Sequence, residues 1–217
     1  MNKQRLQEIF RSLYKAQGPQ HWWPAQDRFE VMVGAVLTQN TAWVNVERAI
    51  EALNGAGALD PEAILELSDA RLAQLIRPSG YFNVKAARLK SLCRWYVAQG
   101  GWQRLRHWST DRLRDALLSV HGIGPETADD ILLYAFERPV FVVDAYTRRL
   151  LDRLGHPRAQ SRYDDLRTSI ETALGPDTDL YNEYHALIVT HAKHVCRPNP
   201  LCGQCVLSKK CAWKPEE

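Results

Sequence analysis

The sequence lacks any long apolar run, and this absence narrows where the protein is expected to reside. No stretch of the 217 residues approaches the length of a membrane span. The N-terminal segment MNKQRLQEIFRSLYKAQG has no apolar core of signal-peptide length, so export is not expected. We therefore expect a cytoplasmic protein whose cysteines stay reduced, and disulfides become the weakest interpretation of clustered cysteines.

Internal repeats, low-complexity tracts and paired β patterns are also absent. Apolar residues recur at helical spacing along most of the chain, first at Leu6, Ile9 and Leu13, and the run 29–37 is apolar on most faces. Only the run 140–143 resembles a strand, and with no second run to pair with it is predicted to be an extended connector. The predicted fold class is all-α, and the length allows one large domain or two small ones.

A strong excess of either charge is missing too, since the net charge is only +3. Its distribution is uneven: residues 45–70 contain six acids and one arginine, whereas residues 71–114 contain ten Lys/Arg and one aspartate. The segment 193–214 contains five basic residues and no acid. This segregation predicts a cationic face suited to nucleic acid, although solvated helix faces that never converge would give the same pattern.

Cysteine is absent from the first 92 residues and concentrated at the C-terminal end. Cys93 stands alone in a helical pattern and is interpreted as a small buried hydrophobe. The other four follow the pattern Cys196-x5-Cys202-x2-Cys205-x5-Cys211, which is typical of an iron–sulfur cluster or a zinc site. Zinc knuckles usually have two short cysteine pairs. The single x2 pair therefore favours a [4Fe–4S] cluster, with zinc as the alternative.

A second motif lies at 117–136, where one apolar helix stops and another begins. The turn is Gly122-Ile123-Gly124, and Pro125 stands at the first helical position, where no N–H is needed. Both glycines permit positive φ and leave backbone N–H groups pointing outward at a helix N-terminus, which suits an anion. A bare G-x-G turn occurs in many helical hairpins. Followed by Pro-x-Thr-Ala, it is typical of a helix-hairpin-helix motif that binds a DNA phosphate without reading sequence.

Asp144 follows Gly124 by twenty residues, at the start of a helical pattern. Helix N-terminal amides should keep this carboxylate ionised, whether it is a plain N-cap or a catalytic group. The hairpin, the aspartate and the cysteine cluster in this order resemble the helix-hairpin-helix DNA glycosylase superfamily, in its endonuclease III branch of base-excision repair. The resemblance covers nearly the whole chain. It implies that Asp144 is the catalytic carboxylate, which stabilises an oxocarbenium-like sugar as the N-glycosidic bond breaks.

The same resemblance implies two helical lobes with a DNA cleft between them. The first is a six-helix barrel over residues 20–137 that contains the hairpin. The second joins residues 1–19 to residues 138–217 and carries the cluster loop 196–211. The implied partner is double-stranded DNA with a damaged base, bound by a monomer in the nucleoid.

Two features depart from the bifunctional endonuclease III enzymes. Those enzymes carry a lysine two residues after the final hairpin glycine, and its amine forms a Schiff base that drives strand cleavage. Glu126 occupies that position here, so AP lyase activity is expected to be absent, and Glu126 is interpreted as favouring a helix N-terminus. The first cysteine gap is x5 where the usual branch has x6, a loop change that a cluster should tolerate.

Four stretches resemble the 3-methyladenine DNA glycosylase sub-branch: HWWP at 21–24, AVLTQNTAW at 35–43, NEYHA at 182–186 and HAK at 191–193. By this resemblance Trp22 and Trp43 sandwich the flipped base, Trp23 and Pro24 shape the wall, and Lys193 lines the pocket. A base made cationic by alkylation would gain about 0.5–2 kcal/mol from each good cation–π contact. Each tryptophan could equally be an ordinary core aromatic, and uncharged bases would stack as well.

Flipping a base also needs side chains that fill the vacated space. By the same resemblance Gln39 inserts into the duplex and Tyr81 forms a wedge on the other strand. The hairpin residues Gly122, Gly124 and Thr127 are assigned to DNA binding. Further polar and basic residues are expected near the DNA backbone, namely Asn83, Lys85, Arg88, Lys90 and Arg94.

The function that these residues predict is a monofunctional DNA glycosylase that excises alkylated bases, 3-methyladenine foremost. Two alternatives stay open. One is a bifunctional glycosylase and AP lyase like endonuclease III, in which another lysine replaces the missing one. The other is a catalytically weak DNA-binding protein with an iron–sulfur or zinc site.

Overall fold

The structure is a computed structural model that describes residues 1–213. Within these residues there is no β-strand, so the predicted all-α class is confirmed. A π-helical turn, Ile131–Ala135, continues the ninth helix. The α-helices are α1 (Lys3–Gln17), α2 (Arg28–Leu37), α3 (Trp43–Gly55), α4 (Pro61–Glu66), α5 (Asp69–Leu75), α6 (Phe82–Ala98), α7 (Gly101–Leu105), α8 (Thr110–Leu118), α9 (Pro125–Asp130), α10 (Ala145–Arg153), α11 (Tyr163–Leu174) and α12 (Thr178–His194).

Many helices begin at a short polar side chain that caps them. One backbone amide in the first turn, three residues after the cap, donates to the side chain of Asn2, Asp27, Ser68, Ser109 or Asp177. Each cap satisfies an N–H group that the helix itself leaves without a partner. Because a cap and its amide are neighbours in sequence, these helix starts depend on local residues alone.

The described chain forms two compact units. The central unit is Ala25–Arg138, and the terminal unit joins Met1–Pro24 to the chain from Pro139 onward. No helix among residues 1–213 has the length and apolar character needed to cross a membrane.

The core of the central unit is built around α2. Every residue from Phe29 to Leu37 is buried, as the apolar run predicts. Helices α3, α6 and α9 and the π-helical turn pack against it. Cys93 on α6 is fully buried, in agreement with its interpretation as a core residue. The buried helix α2 therefore fixes the start of the loop that carries Gln39.

The terminal unit is formed by α1, α10, α11 and α12. Leu6, Ile9 and Leu13 form the buried face of α1. The segment 140–143 belongs to no helix or strand and is buried, as predicted for a connector. The ring of Phe141 within it packs edge-on against aromatic rings of α12, at a centroid distance of 5.4 Å from Tyr181. This packing anchors the connector that leads directly to Asp144.

Candidate active site

The hairpin lies in the central unit between α8 and α9. Gly122 has a φ of +87°, in the left-handed region that favours glycine. Gly124 has a φ of −94°, so only the first of the two glycines uses the positive φ that both permit. Gly124 is the N-cap of α9 and Pro125 takes the first helical position, as predicted. A Cβ built on Gly124 would meet no atom within 4 Å, so the space beside this helix N-terminus is open.

Gln39, on the loop after α2, is fastened to this hairpin through its side-chain amide. Its Nε2 donates to the Gly122 carbonyl at 3.1 Å and to Thr127 Oγ1 at 2.9 Å, and its Oε1 accepts from Arg88. The Arg88 side chain crosses Gly122 so closely that a Cβ there would lie 2.2 Å from Arg88 Cγ. Glycine at position 122 is therefore required by this contact as well as by its φ.

Lys85 and Lys90 are buried, which corrects the expectation that they lie near the DNA backbone. Lys85 Nζ donates to the carbonyls of Leu37 at 2.8 Å and Ser79 at 2.6 Å. Lys90 Nζ donates to the Leu67 carbonyl and to the Asp69 carboxylate, both at 2.6 Å. Burial lowers the pKa of Lys85 to about 8. Both ammonium groups bind oxygen atoms inside the central unit, because carbonyls at helix ends lack intrahelical donors.

Tyr81 lies on the loop before α6 and is 73% exposed. Its φ of +45° places it in the left-handed region, and Val84 one turn later is also exposed. Asn83 and Arg94 are exposed on the same helix. A large exposed aromatic ring beside an exposed aliphatic side chain is typical of an interaction surface.

Arg114 and Asp129 join α8 to α9 through a bidentate ion pair. The Arg114 Nε lies 2.7 Å from Asp129 Oδ1 and the Nη2 lies 3.1 Å from Oδ2. The Asp129 side chain is fully buried. Two parallel charge-assisted hydrogen bonds resist rotation as well as separation, so this pair fixes the two helices of the hairpin. Glu126, by contrast, is exposed in the first turn of α9.

Asp144 is the N-cap of α10 in the terminal unit, and its two oxygens have different partners. Oδ1 accepts a hydrogen bond from the Thr147 amide at 2.6 Å, and Oδ2 lies 3.5 Å from Nε2 of His185 on α12. Burial by itself raises the pKa of Asp144. The hydrogen bond and charge of His185, together with the Thr147 amide, outweigh burial and hold the pKa below its usual value of 3.8. The carboxylate is therefore ionised at neutral pH.

The aromatic residues assigned to the base pocket belong to both units. Trp22 and Trp23 are half-buried in the terminal unit, with ring centroids 5.3 Å apart and a tilt of 48° between the rings. Pro24 beside them is exposed. Trp43 begins α3 in the central unit, and its Nε1 donates to Glu47 at 2.8 Å. Each ring thus keeps part of its surface accessible.

Lys193 is an exposed residue near the C-terminal end of α12. Its Nζ lies 5.9 Å from the ring centroid of Tyr146, and the Arg149 guanidinium lies 5.3 Å from the same ring. Tyr146 is in the first turn of α10, directly after Asp144 and Ala145. The packing of α12 on α10 thus brings Lys193 to the helix that begins at the candidate catalytic carboxylate.

The four C-terminal cysteines line one cavity of about 150 Å³. Burial raises the pKa of the Cys205 thiol, and negative charge on the other three would raise it further, because all four face the same space. Arg153 also lines the cavity and its Nη1 donates to Cys196 Sγ at 3.3 Å. Within residues 1–213, no group of three or more His, Cys, Asp or Glu side chains is arranged to hold a metal ion.

Sequence patterns do not single out three of these groups. His185 beside Asp144, the Arg114–Asp129 pair and Arg153 at the cysteine cavity acquire their positions from contacts between distant segments. A signal for His185 was present, because a histidine within the largely apolar run 184–189 needs a polar partner when it is buried.

Comparison with known proteins identifies the family to which this chain is similar. The HhH-GPD model, described as a superfamily of base excision DNA repair proteins, matches residues 33–176. A protein of Methanocaldococcus jannaschii, whose name assigns it provisionally as a DNA repair glycosylase, is 45% identical over 212 residues, which cover 96% of each chain.

Two solved structures are similar over most of the chain. The 3-methyladenine DNA glycosylase of H. pylori bound to 1,N6-ethenoadenine has a TM-score of 0.77 and 30% identity, covering 89% of this chain and 98% of that chain. An endonuclease III–DNA complex has a TM-score of 0.82 at 20% identity, covering 98% of this chain and 96% of that chain.

The family match spans the hairpin and Asp144, two of the three features that carried the resemblance in the sequence, and ends before the cysteine cluster. The predicted superfamily is confirmed. This chain belongs to the HhH-GPD superfamily of base-excision DNA repair proteins and is a DNA repair glycosylase.

Proposed function

We propose that this glycosylase is monofunctional and hydrolyses the N-glycosidic bond of alkylated purines in duplex DNA, with 3-methyladenine as the preferred lesion. The observation that carries the proposal is an ionised Asp144 in a chain whose hairpin has Glu126 at the position of the imine-forming lysine. A carboxylate stabilises a sugar cation, whereas a glutamate cannot form a Schiff base. The similarity to an H. pylori enzyme bound to a modified adenine supports the choice of a purine.

The proposed reaction breaks the bond between C1′ and the base nitrogen, with both electrons leaving on the base. A purine made cationic by N3-alkylation departs as a neutral molecule, so no general acid is required. The Asp144 carboxylate stabilises the positive charge that develops at C1′. The oxygen of a water molecule then bonds to C1′, and its proton passes to Asp144 or to solvent. The products are the free base and an abasic sugar.

We propose base-binding roles for Trp22, Trp23, Pro24 and Lys193 in the terminal unit and for Trp43 in the central unit. The tryptophans offer partly accessible rings for stacking. A cationic base would gain more from these rings than a neutral one, which favours alkylated purines among the possible lesions.

The proposed DNA contacts divide into two kinds. Backbone amides at Gly122 and Gly124 would bind a phosphate, for which the open space beside Gly124 leaves room. Tyr81 would be the wedge, as its exposure favours. Thr127 is buried and bonded to Gln39, so we assign it to positioning Gln39. Insertion of Gln39 into the duplex would require its bonds to the hairpin to break.

The proposal is tested with purified protein and a panel of lesion-containing duplex oligonucleotides, including methylated DNA. Released bases are identified directly, and strand cleavage is measured with and without alkali. We expect free 3-methyladenine, with strand breaks only after alkali. Asp144→Asn should bind DNA but release no base. Asp152→Asn, which changes an exposed aspartate on the same helix, should keep wild-type activity. Absence of base release by the wild-type protein would contradict the proposal.

The bifunctional alternative makes a different prediction. A lyase forms a covalent imine with the abasic sugar, which borohydride reduces to a stable adduct. We expect no trapped adduct with this protein. A trapped adduct would refute the monofunctional assignment and would show that another amine replaces the missing lysine.

We also propose that Cys196, Cys202, Cys205 and Cys211 hold a [4Fe–4S] cluster. All four line one cavity, and the Arg153 guanidinium beside Cys196 would stabilise thiolate charge. A zinc ion needs its ligands about 2.3 Å from one point, whereas each thiolate of a cluster binds a different iron. A cavity of about 150 Å³ between the four cysteines has room for a cluster, which a single zinc ion would not fill. When bound, the cluster would cross-link the loop that follows α12.

The cluster is tested by the metal content of anaerobically purified protein. We expect about four irons per chain with matching sulfide, and little zinc. Cys202→Ser should lose iron and melt at a lower temperature, while Cys93→Ala, which changes a buried cysteine outside the cavity, should keep its iron. Zinc in place of iron would refute the proposal and favour the alternative.

A further inference from the structure

We infer that His185 is a positioning residue for this reaction, which holds the Asp144 carboxylate ionised and in a fixed orientation. This inference rests on the proposed function, because it takes Asp144 as the carboxylate that acts on the sugar. It assigns a role to a side chain that lies in the stretch NEYHA but to which neither the sequence analysis nor the comparisons give a role.

The geometry gives each oxygen of Asp144 its own polar neighbour. Oδ1 is occupied by the Thr147 amide, and Oδ2 faces the His185 imidazole at 3.5 Å. His185 is only 5% exposed, and it reaches Asp144 because α12 packs against α10. An imidazole with a proton on Nε2 presents an N–H to the carboxylate in both its neutral and its cationic form. The amide at Oδ1 and the imidazole beside Oδ2 together restrict rotation of the carboxylate.

The other charged and titratable groups around the pair are bound elsewhere. Arg148 donates to the carbonyls of Ala159 and Ser161, and Arg149 donates to those of Ala192 and Cys196. Further groups on neighbouring elements include Tyr163, whose hydroxyl accepts from the Val143 amide, Glu183, which accepts from the Gln20 backbone amide, and Tyr184, whose hydroxyl donates to the Leu6 carbonyl. Lys193 lies beside the Tyr146 ring, the buried His191 lies near Cys205, and Arg153 donates to carbonyls of the cysteine loop. Of all these groups, His185 is the one whose charge acts on Asp144.

The physical consequence concerns the acid side of the pH–rate profile. Burial favours the neutral acid form of Asp144, and His185 opposes that effect. A protonated Asp144 has no negative charge with which to stabilise the sugar cation. Loss of His185 should therefore raise the pKa of Asp144, so that activity disappears at a higher pH as the solution is acidified. A merely structural histidine would lower the rate equally at every pH.

The experiment compares the wild type with His185→Leu, which removes the donor, and His185→Gln, which keeps a neutral amide donor. His156→Leu is the matched control, because His156 is buried to a similar degree in the terminal unit. The Asp144 carboxyl is titrated by ¹³C NMR in aspartate-labelled protein, with Asp144→Asn identifying its signal. Single-turnover excision of 3-methyladenine is measured across the same pH range. Circular dichroism confirms that each variant is folded, and His185→Gln serves alone if His185→Leu does not fold.

We expect the Asp144 titration and the acid limb of the rate to move together to higher pH in His185→Leu. His185→Gln should lie between that variant and the wild type, and His156→Leu should not shift either curve. At pH values below the acid limb, the rate of a His185 variant should be lower than that of the wild type by about tenfold for each pH unit by which the limb has moved.

Three results would overturn the inference, and they are distinguishable. An unchanged Asp144 titration in the His185 variants would show that the pair is not coupled. A shifted titration with an unchanged acid limb would show that the coupling does not serve the reaction, and the proposed function would still stand. A wild-type protein that excises no methylated base would remove the proposed function, and the role of His185 in the reaction with it.

Discussion

The side-chain amide of Gln39 donates a 2.9 Å hydrogen bond to the hydroxyl of Thr127, and so joins the loop after α2 to the second helix of the hairpin. The two residues come from separate segments of the central unit, and each was assigned to DNA on sequence grounds alone. Their contact makes the position of Gln39 depend on the hairpin, because the same amide also bonds to Gly122.

Thr127→Val tests this dependence. The change keeps the shape of the side chain but removes an acceptor from a part-buried amide, which should lower the free energy of unfolding by about 1–3 kcal/mol. Affinity for lesion-containing DNA should rise slightly, because Gln39 no longer has to give up this hydrogen bond before it inserts into the duplex. Urea unfolding and fluorescence anisotropy measure the two effects. Thr168→Val, at an exposed position of α11, should alter neither. An unchanged free energy of unfolding in Thr127→Val would show that the hydrogen bond from Gln39 to Thr127 does not stabilise the fold.

The two hairpin glycines should respond differently to alanine. Gly122→Ala adds a Cβ that collides with Arg88 at a φ of +87°, which should lower the free energy of unfolding by about 1–2 kcal/mol. Gly124→Ala meets no atom within 4 Å and should cost less than about 1 kcal/mol. Its methyl group would nevertheless enter the space assigned to a phosphate. We therefore expect Gly124→Ala to lose DNA affinity while staying folded, and wild-type affinity would refute the phosphate site.

Breaking the buried ion pair in the hairpin should be costly. Arg114→Met leaves the fully buried Asp129 carboxylate without its guanidinium, for an expected loss of about 3–5 kcal/mol in urea unfolding. The double variant Arg114→Met/Asp129→Leu should recover part of that loss, since it also removes the buried carboxylate. Glu137→Gln disrupts an exposed pair with Arg28 and should cost less than about 1 kcal/mol. If Arg114→Met and Glu137→Gln lower the free energy of unfolding equally, the Arg114–Asp129 pair does not fix the hairpin.

Lys85 predicts a pH dependence of stability whose sign follows from its burial. Its pKa is lowered from 10.5 to about 8 in the folded protein, so between these values the unfolded chain binds more protons. Stability from this group therefore rises with pH across that window, as the cost of burying the charge is relieved. The difference in unfolding free energy between the wild type and Lys85→Met should increase from pH 8 towards pH 10. A decreasing difference would mean that the Leu37 and Ser79 carbonyls stabilise the charged ammonium more than burial penalises it.

Features that depend on neighbours in sequence could be predicted. The helical class, the buried run that became α2, the first helical position of Pro125 and the N-cap geometry of Asp144 all follow from periodicity and capping within a few residues. The order of hairpin, aspartate and cysteines was enough to identify the superfamily, because each motif is a short segment with its own chemistry.

Contacts between distant segments decided the rest. Whether a lysine side chain contacts water or a backbone carbonyl depends on the segments that pack against it. Lys85 and Lys90 are therefore buried, although the sequence predicted them near the DNA backbone. Packing between distant segments also explains three further features. Gly122 has a positive φ whereas Gly124 does not, Gln39 is bonded to the hairpin, and His185 lies beside Asp144. The sequence by itself determined which chemical groups this glycosylase carries. Only tertiary packing determined which of them meet, because side-chain partners brought together by helix packing have no fixed spacing along the chain.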